Sequence, residues 1–282
     1  MTRRRIRGKT VLLGLLALSL LAGCSTNPVT GKSELILISE DQEIAMGVEA
    51  TPQFEKEFGG PVPDASLRAY VQEVGQRIAN VCDRGNLEYR YLLVRSNVPN
   101  AFALPGGQIF LTAGLMSRMD NERQLAAVLG HETGHVCAKH NVKGMQREML
   151  KQGLITLGGE IVGAGDTAKK AAAVVGTMVT LKYSRSDEYQ ADDLGIKYMA
   201  KAGYNPYGMV ELLSVLLSLH DKEAGSLGEM LQTHPLSSKR VARAREAIQT
   251  GYAKYRETAA DPKAKRFRQM RARLLKVVPD AR

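Results

Sequence analysis

The sequence predicts an α+β fold, mainly helical with a small β-sheet, on three observations. Between Asp64 and Val81, apolar residues fall at Leu67, Val71, Val74, Ile78 and Val81, the spacing of one helix face. Between Leu87 and Leu115 the pattern changes to β-rich alternation, interrupted by Pro105-Gly106-Gly107, which reads as strands joined by a turn. From Glu122 onward helical spacing returns and recurs.

The elements follow in order. Residues 1–23 are a leader and no part of the fold. "MTRRRIRGK" is a basic start, and the 13 apolar or small residues of "VLLGLLALSLLAG" are too few to span a bilayer and right for a signal peptide. "LAGC", Leu21 to Cys24, resembles a bacterial lipobox, which implies cleavage before Cys24 and lipidation of its thiol. Ser25 follows; by resemblance to lipoproteins of two-membrane bacteria, that directs the anchored protein to the periplasmic face of the outer membrane. Residues 24–60 read as a turn-rich tether and a first helix starting near Ser39. Residues 61–250 form the main domain. In it, Asp64 caps a helix, Leu87–Ser96 is a strand, Asn100–Leu115 is strand, turn and strand, and Glu122 to about His140 is a helix. Two small-residue runs, 153–166 and 171–181, are too short and too charged to span a membrane. They read as closely packed helices or as a lid. Glu211–His220 is an amphipathic helix with His220 at its dipole's negative end. Residues 251–282 are a basic amphipathic tail.

Composition is that of an ordinary globular chain, with 44% hydrophobic and 24% charged among 282 residues. Trp is absent, so the core leans on aliphatic residues and Met. The net charge of +10 is unevenly placed. Residues 24–251 carry 24 basic and 26 acidic residues, while the leader and the tail hold the excess of Lys and Arg. Basicity therefore gives no argument for nucleic-acid binding.

"LAAVLGHETGHVCAKH", Leu125 to His140, holds three of the five histidines. His131 and His135 lie four apart, on one helix face, with Glu132 about 100° round. This is H-E-x-x-H, in which two imidazoles hold zinc and the Glu acts as general base. His140 is turned roughly 140° from His135 on an uninterrupted helix, so it reads as a non-ligand. "SRSDEYQADDLG" supplies the missing acids. Glu188 and Asp192 also lie four apart. Zinc held by two His and one Glu keeps its fourth position open for water, and a ligating His is held from behind by a carboxylate. Glu188 fits the ligand role and Asp192 fits the position behind His131. Asp187 and Asp193 lie off that face. Cys82 and Cys137 read either as a disulfide or as two buried thiols, with Cys137 facing away from the metal.

In chain order, "NAFALPGGQIFLTAGL", "LAAVLGHETGH", "YSRSDEYQAD" and "THPLSSKR" resemble the zinc endopeptidases of the HtpX, BepA and CAAX-prenyl-protease type. The lipobox followed by "NPVTGKSEL" narrows the likeness to soluble periplasmic lipoproteins similar to BepA and LoiP. The resemblance implies a mainly helical gluzincin-type metalloprotease domain with a small β-sheet. It implies one zinc per chain on His131, His135 and Glu188, with Glu132 as base. It places Asn100, Ala101 and Phe102 on an edge strand that pairs with extended substrate backbone. It gives His234 one of two roles, stabilising the oxyanion or filling the fourth zinc position in a latent state; from the residues alone His234 is a turn histidine. Arg240 follows six residues later. The tail from Pro262 to Val278 lies outside the resemblance. Its stripe of Phe267, Met270 and Leu274 among basic residues suits an anionic lipid surface or a solvated helix equally.

The expected function is a zinc-dependent endopeptidase of the bacterial envelope, acting on misfolded or stalled envelope and outer-membrane proteins. The alternative is a zinc-stabilised lipoprotein that chaperones or tethers without cutting. A complete Glu132 argues against it, because a structural zinc site needs no base and is usually closed and rich in cysteine.

Overall fold

A computed structural model describes residues 24–153, 174–178, 181–222 and 233–281, without the side chains of Cys24 and of 220–222. The leader 1–23, nearly all of the first small-residue run, much of the second and the His220 side chain lie outside the described residues. Among the described residues no helix is long and apolar enough to cross a membrane.

The chain opens with an antiparallel hairpin, β1 (Cys24–Thr26) and β2 (Ser33–Leu35), followed by helix α1 (Glu40–Glu57). Ser39 caps α1 through a reciprocal capping box with Gln42. The turn-rich segment and α1 both pack against the rest of the chain. The Asn27 amide donates to the Ala138 carbonyl at 3.2 Å, and the Gly47 face of α1 lies so close to the Pro105 carbonyl that no side chain would fit there.

Helix α2 (Ala65–Ala79) starts at Asp64, whose carboxylate accepts from the Ser66 and Leu67 amides. Its predicted apolar face is buried as Leu67, Val71, Val74 and Ile78. A three-stranded sheet follows: β3 (Arg90–Val94), β4 (Ala101–Ala103) and β5 (Gln108–Thr112), in the order β3-β5-β4. β3 runs parallel to β5, and β4 antiparallel to it with Phe102 opposite Phe110. The turn between β4 and β5 is Pro105–Gly107, where Gly106 takes φ 74° beneath α1. β5 is wholly buried and β4 is an edge. The residues after Thr112 form a short helix α3 (Ala113–Ser117), where strand was expected, because the Thr112 hydroxyl caps it through the Leu115 amide.

Helix α4 (Glu122–Cys137) is buried along its whole length. It ends three residues short of the expected His140. Lys139 adopts a left-handed conformation, φ 57° and ψ 29°, and α5 (His140–Lys151) begins immediately. Then come α6 (Arg185–Lys201), α7 (Tyr207–Lys222), α8 (Ser238–Gly251) and α9 (Ala264–Val277).

Cys82 and Cys137 are free thiols, each 3.5 Å from the Tyr89 hydroxyl between them. The lipid-binding reading of the tail is corrected. The apolar stripe of α9 is inserted in the core, with Phe267 and Leu274 fully buried and Val278 nearly so. Ion pairs fasten the basic side to the domain: Arg266 to Glu73, Arg271 to Asp120, Arg273 to Asp64, and Lys263 to the buried Glu122. With Phe267 and Leu274 buried and Met270 partly so, most of that stripe packs against the protein and not a bilayer.

Phe267→Ala should therefore cost about 3–5 kcal/mol of unfolding free energy, read from urea or thermal unfolding. Lys265→Ala, at an exposed site on the same helix, should change it by less than about 0.5 kcal/mol. A Phe267→Ala protein as stable as wild type would show that the tail is not part of the core.

Candidate active site

Helices α4 and α6 bring the site together. They approach closely because glycines face each other where they cross. A methyl group on Gly195 would lie 3.1 Å from the His131 amide and 2.6 Å from Met209. One on Gly134 would lie 3.0 Å from the Ala191 carbonyl. The close approach sets His131 and His135 of α4 against Glu188 and Asp192 of α6, as the two four-residue spacings require.

His131, His135, Glu188 and His234 form one buried cluster in which one ligand atom from each lies within 4.8 Å of all the others. His135 Nε2 is 3.0 Å from His131 Nε2 and 3.3 Å from Glu188 Oε1. His131 Nε2 is 3.6 Å from Glu188 Oε2. His234 Nδ1 is 2.9 Å from Glu188 Oε1 and 3.5 Å from His131 Nε2. Tetrahedral zinc with bonds of about 2.0–2.2 Å needs donors about 3.3–3.6 Å apart. The donors already stand near that spacing, and three nitrogens with one carboxylate oxygen are a set zinc accepts. The residues fit the metal.

Behind these groups lies a set of buried partners. Asp192 Oδ1 is 3.0 Å from His131 Nδ1, the position expected from sequence. Arg240, at the start of α8, joins both acids. Its Nε and Nη2 donate to the two Asp192 oxygens at 2.8 and 2.7 Å, and its Nη1 is 2.5 Å from Glu188 Oε2. The Tyr183 ring lies over His135 with centroids 4.0 Å apart. The sequence reading gave Arg240 no role and did not name Tyr183. Both stand in the quoted motifs, Tyr183 opening "YSRSDEYQAD" and Arg240 closing "THPLSSKR", but what each touches is set only by the fold.

Electrostatics sort the groups. Burial pushes the Glu132 carboxyl up, against the neighbouring His234 and His131. Burial would also raise Glu188, but His234, His135 and His131 outweigh it and hold that carboxyl well below its usual range. Asp192 is likewise held low, because the Arg240 guanidinium outweighs the effect of burial. Burial drives His135 well below the ordinary imidazole value, and the neutral form is the one that ligates. His234 is pushed the other way, since Glu188 and Glu132 overcome its burial.

Glu132 is 2% exposed, and its Oε2 has no hydrogen-bond partner. Its Oε1 is 3.8 Å from His234 Nε2, which is also unpartnered. A pocket beside them is lined by Val128, Met209, Leu212, Leu213, Leu216 and Leu236. β4 packs against α4, with Ala101 and Ala103 turned inward and Asn100 buried with an unpartnered Oδ1. Asp193 is drawn off to Arg243 at the surface, and Asp187 closes the capping box of α6.

Comparison with known proteins agrees with this arrangement. The chain is 28% identical over 244 residues to the beta-barrel assembly-enhancing protease of Escherichia coli strain K12, covering 83% of this chain and 49% of that protein. It is 28% identical over 237 residues to the mitochondrial metalloendopeptidase OMA1 of Schizosaccharomyces pombe, covering 82% and 68%. It is 29% identical over 194 residues to the metalloprotease YcaL of Escherichia coli strain K12, covering 63% and 71%. The chain spans about half the length of the beta-barrel assembly-enhancing proteases it matches. The model of Peptidase family M48 matches residues 65–248, which include every residue of the buried cluster, and the chain belongs to that family.

Proposed function

We propose that the protein is a zinc-dependent endopeptidase of the bacterial cell envelope. The observation that carries this reading is a buried four-donor cluster beside a carboxylate that ligates nothing and pairs with nothing on one oxygen. A purely structural site has no use for that carboxylate. His131, His135 and Glu188 hold the metal. When bound, zinc lowers the pKa of its water to about 7 and polarises a carbonyl.

The chain's own residues do the rest. Glu132 takes the proton from the attacking water and returns it to the departing amine. Asp192 keeps the His131 proton on Nδ1, so that Nε2 keeps its lone pair for the metal. Arg240 keeps Asp192 ionised and pairs with Glu188 at 2.5 Å. Substrate backbone adds to the outer edge of β4 at Asn100, Ala101 and Phe102, which reads main chain more than side chains. His234 stands at the fourth vertex of the donor set. That supports the latent reading over the oxyanion reading: the ring must move aside before water and substrate enter. Lipidation at Cys24 anchors the enzyme on the periplasmic face of the outer membrane. Its substrates are unfolded, misassembled or stalled envelope proteins, including those of the outer membrane. The names of the bacterial relatives and the terminal place of β4 in its sheet support that class.

Glu132→Gln should keep its zinc and lose hydrolysis of an unfolded protein such as casein by a factor of about 10²–10⁴. Equal turnover by the variant would overturn the mechanism. Metal removal should also loosen the fold, because ligand binding to the native state alone stabilises it by RT ln(1 + [L]/Kd). Zinc at about a hundred times its Kd should add about 2.7 kcal/mol to the metal-free protein, read as a rise in melting temperature. An unchanged melting temperature would speak against a site in the core.

A further inference from the structure

We infer that His140 is a positioning residue that fixes the proton and the orientation of the ligand His135. The inference rests on the reading of the cluster as a metal site. His135 has two ring nitrogens with different surroundings. Nε2 faces His131 and Glu188, at 3.0 and 3.3 Å. Nδ1 faces away, 3.1 Å from His140 Nδ1. Two nitrogens at that distance share one proton. A neutral His135 that gives its Nε2 lone pair to a metal carries its proton on Nδ1. His135 Nδ1–H then donates to His140 Nδ1, which must be unprotonated. That places the His140 proton on Nε2, where an acceptor waits: Gln190 Oε1 at 2.9 Å, with Asp187 Oδ1 at 3.5 Å beyond it. Every donor meets an acceptor along this chain, and it runs from α6 through α5 to the metal face of α4.

The two ligand histidines are thus held in different ways. Asp192, a carboxylate carried by Arg240, stands behind His131. A second imidazole, carried by an amide, stands behind His135. His140 is 2% exposed, so water does not compete for its bonds. The left-handed Lys139 makes the contact possible, since it ends α4 and turns the chain so that His140 comes back against His135.

The test is zinc affinity of the purified full-length mature protein, measured by competition with a fluorescent zinc chelator, for wild type, His140→Phe and His140→Asn. Phenylalanine keeps the ring volume and removes the acceptor. Asparagine keeps an acceptor oxygen near the Nδ1 position and leaves a small cavity. A packing role would make Asn the worse substitution. The positioning role makes Phe the worse one, with zinc bound 10–100-fold more weakly than wild type and Asn within about threefold of it. If His140→Phe fails to fold, Gln190→Leu removes the group that fixes the His140 proton and should also weaken zinc binding. Wild-type affinity in His140→Phe, or in Gln190→Leu where that variant stands in, would overturn this inference alone. A wild-type protein that binds no zinc would overturn it together with the reading on which it rests.

Discussion

The close approach of α4 and α6 is the constraint on which the rest depends. Side chains at Gly134 and Gly195 would crowd this crossing, because the Ala191 carbonyl and the His131 amide lie about 3.0–3.1 Å from where a methyl group would sit and would have to give way. Imidazole and carboxylate donors are short. A displacement of one or two ångströms would take His131 and His135 out of reach of Glu188, and Asp192 out of reach of His131. The glycine faces are therefore part of the site although they touch no ligand. The remaining architecture keeps this pair in register. β4 and β5 cover α4 on one side, α7 and α8 border the pocket on another, and α9 secures the start of α4 through Lys263 and Glu122.

The second constraint is charge. Glu132, Glu188, Asp192 and Arg240 are all nearly inaccessible to water, and a buried charge is tolerated only when paired and hydrogen-bonded. Arg240 answers for two carboxylates, and His234 offers a further hydrogen bond to Glu188. Glu188 Oε2 accepts no hydrogen bond but is ion-paired with Arg240; Glu132 has no such cation, and its unpartnered oxygen is expensive for the folded state and useful for a base. A metal would replace the weak contacts among the four donors by bonds, which is why stability and metal occupancy should move together.

Much of the site was legible in the sequence because helical periodicity turns spacing into geometry. Four-residue spacing in α4 and again in α6 put His131, His135, Glu188 and Asp192 on two faces, and the structure brings those faces together. The cap at Asp64 and the turn at Pro105–Gly107 were legible for the same local reason. What was missed depends on long-range contact or on a break without punctuation. The helix boundary at Lys139 carries no Gly or Pro, so His140 looked turned away from the site that it supports from behind. Arg240 meets Asp192 across 48 residues of chain, and no local pattern announces that. The tail's apolar stripe correctly signalled burial but not what buries it; packing against the domain won over the membrane.

The most direct test of the central claim is anomalous diffraction at the zinc edge from crystals grown with zinc. The account predicts one zinc per chain, within about 2.0–2.2 Å of the Nε2 atoms of His131 and His135 and of a Glu188 oxygen, with Glu132 unligated. A protein that leaves this cluster empty in the presence of zinc, or holds the metal elsewhere, would contradict it.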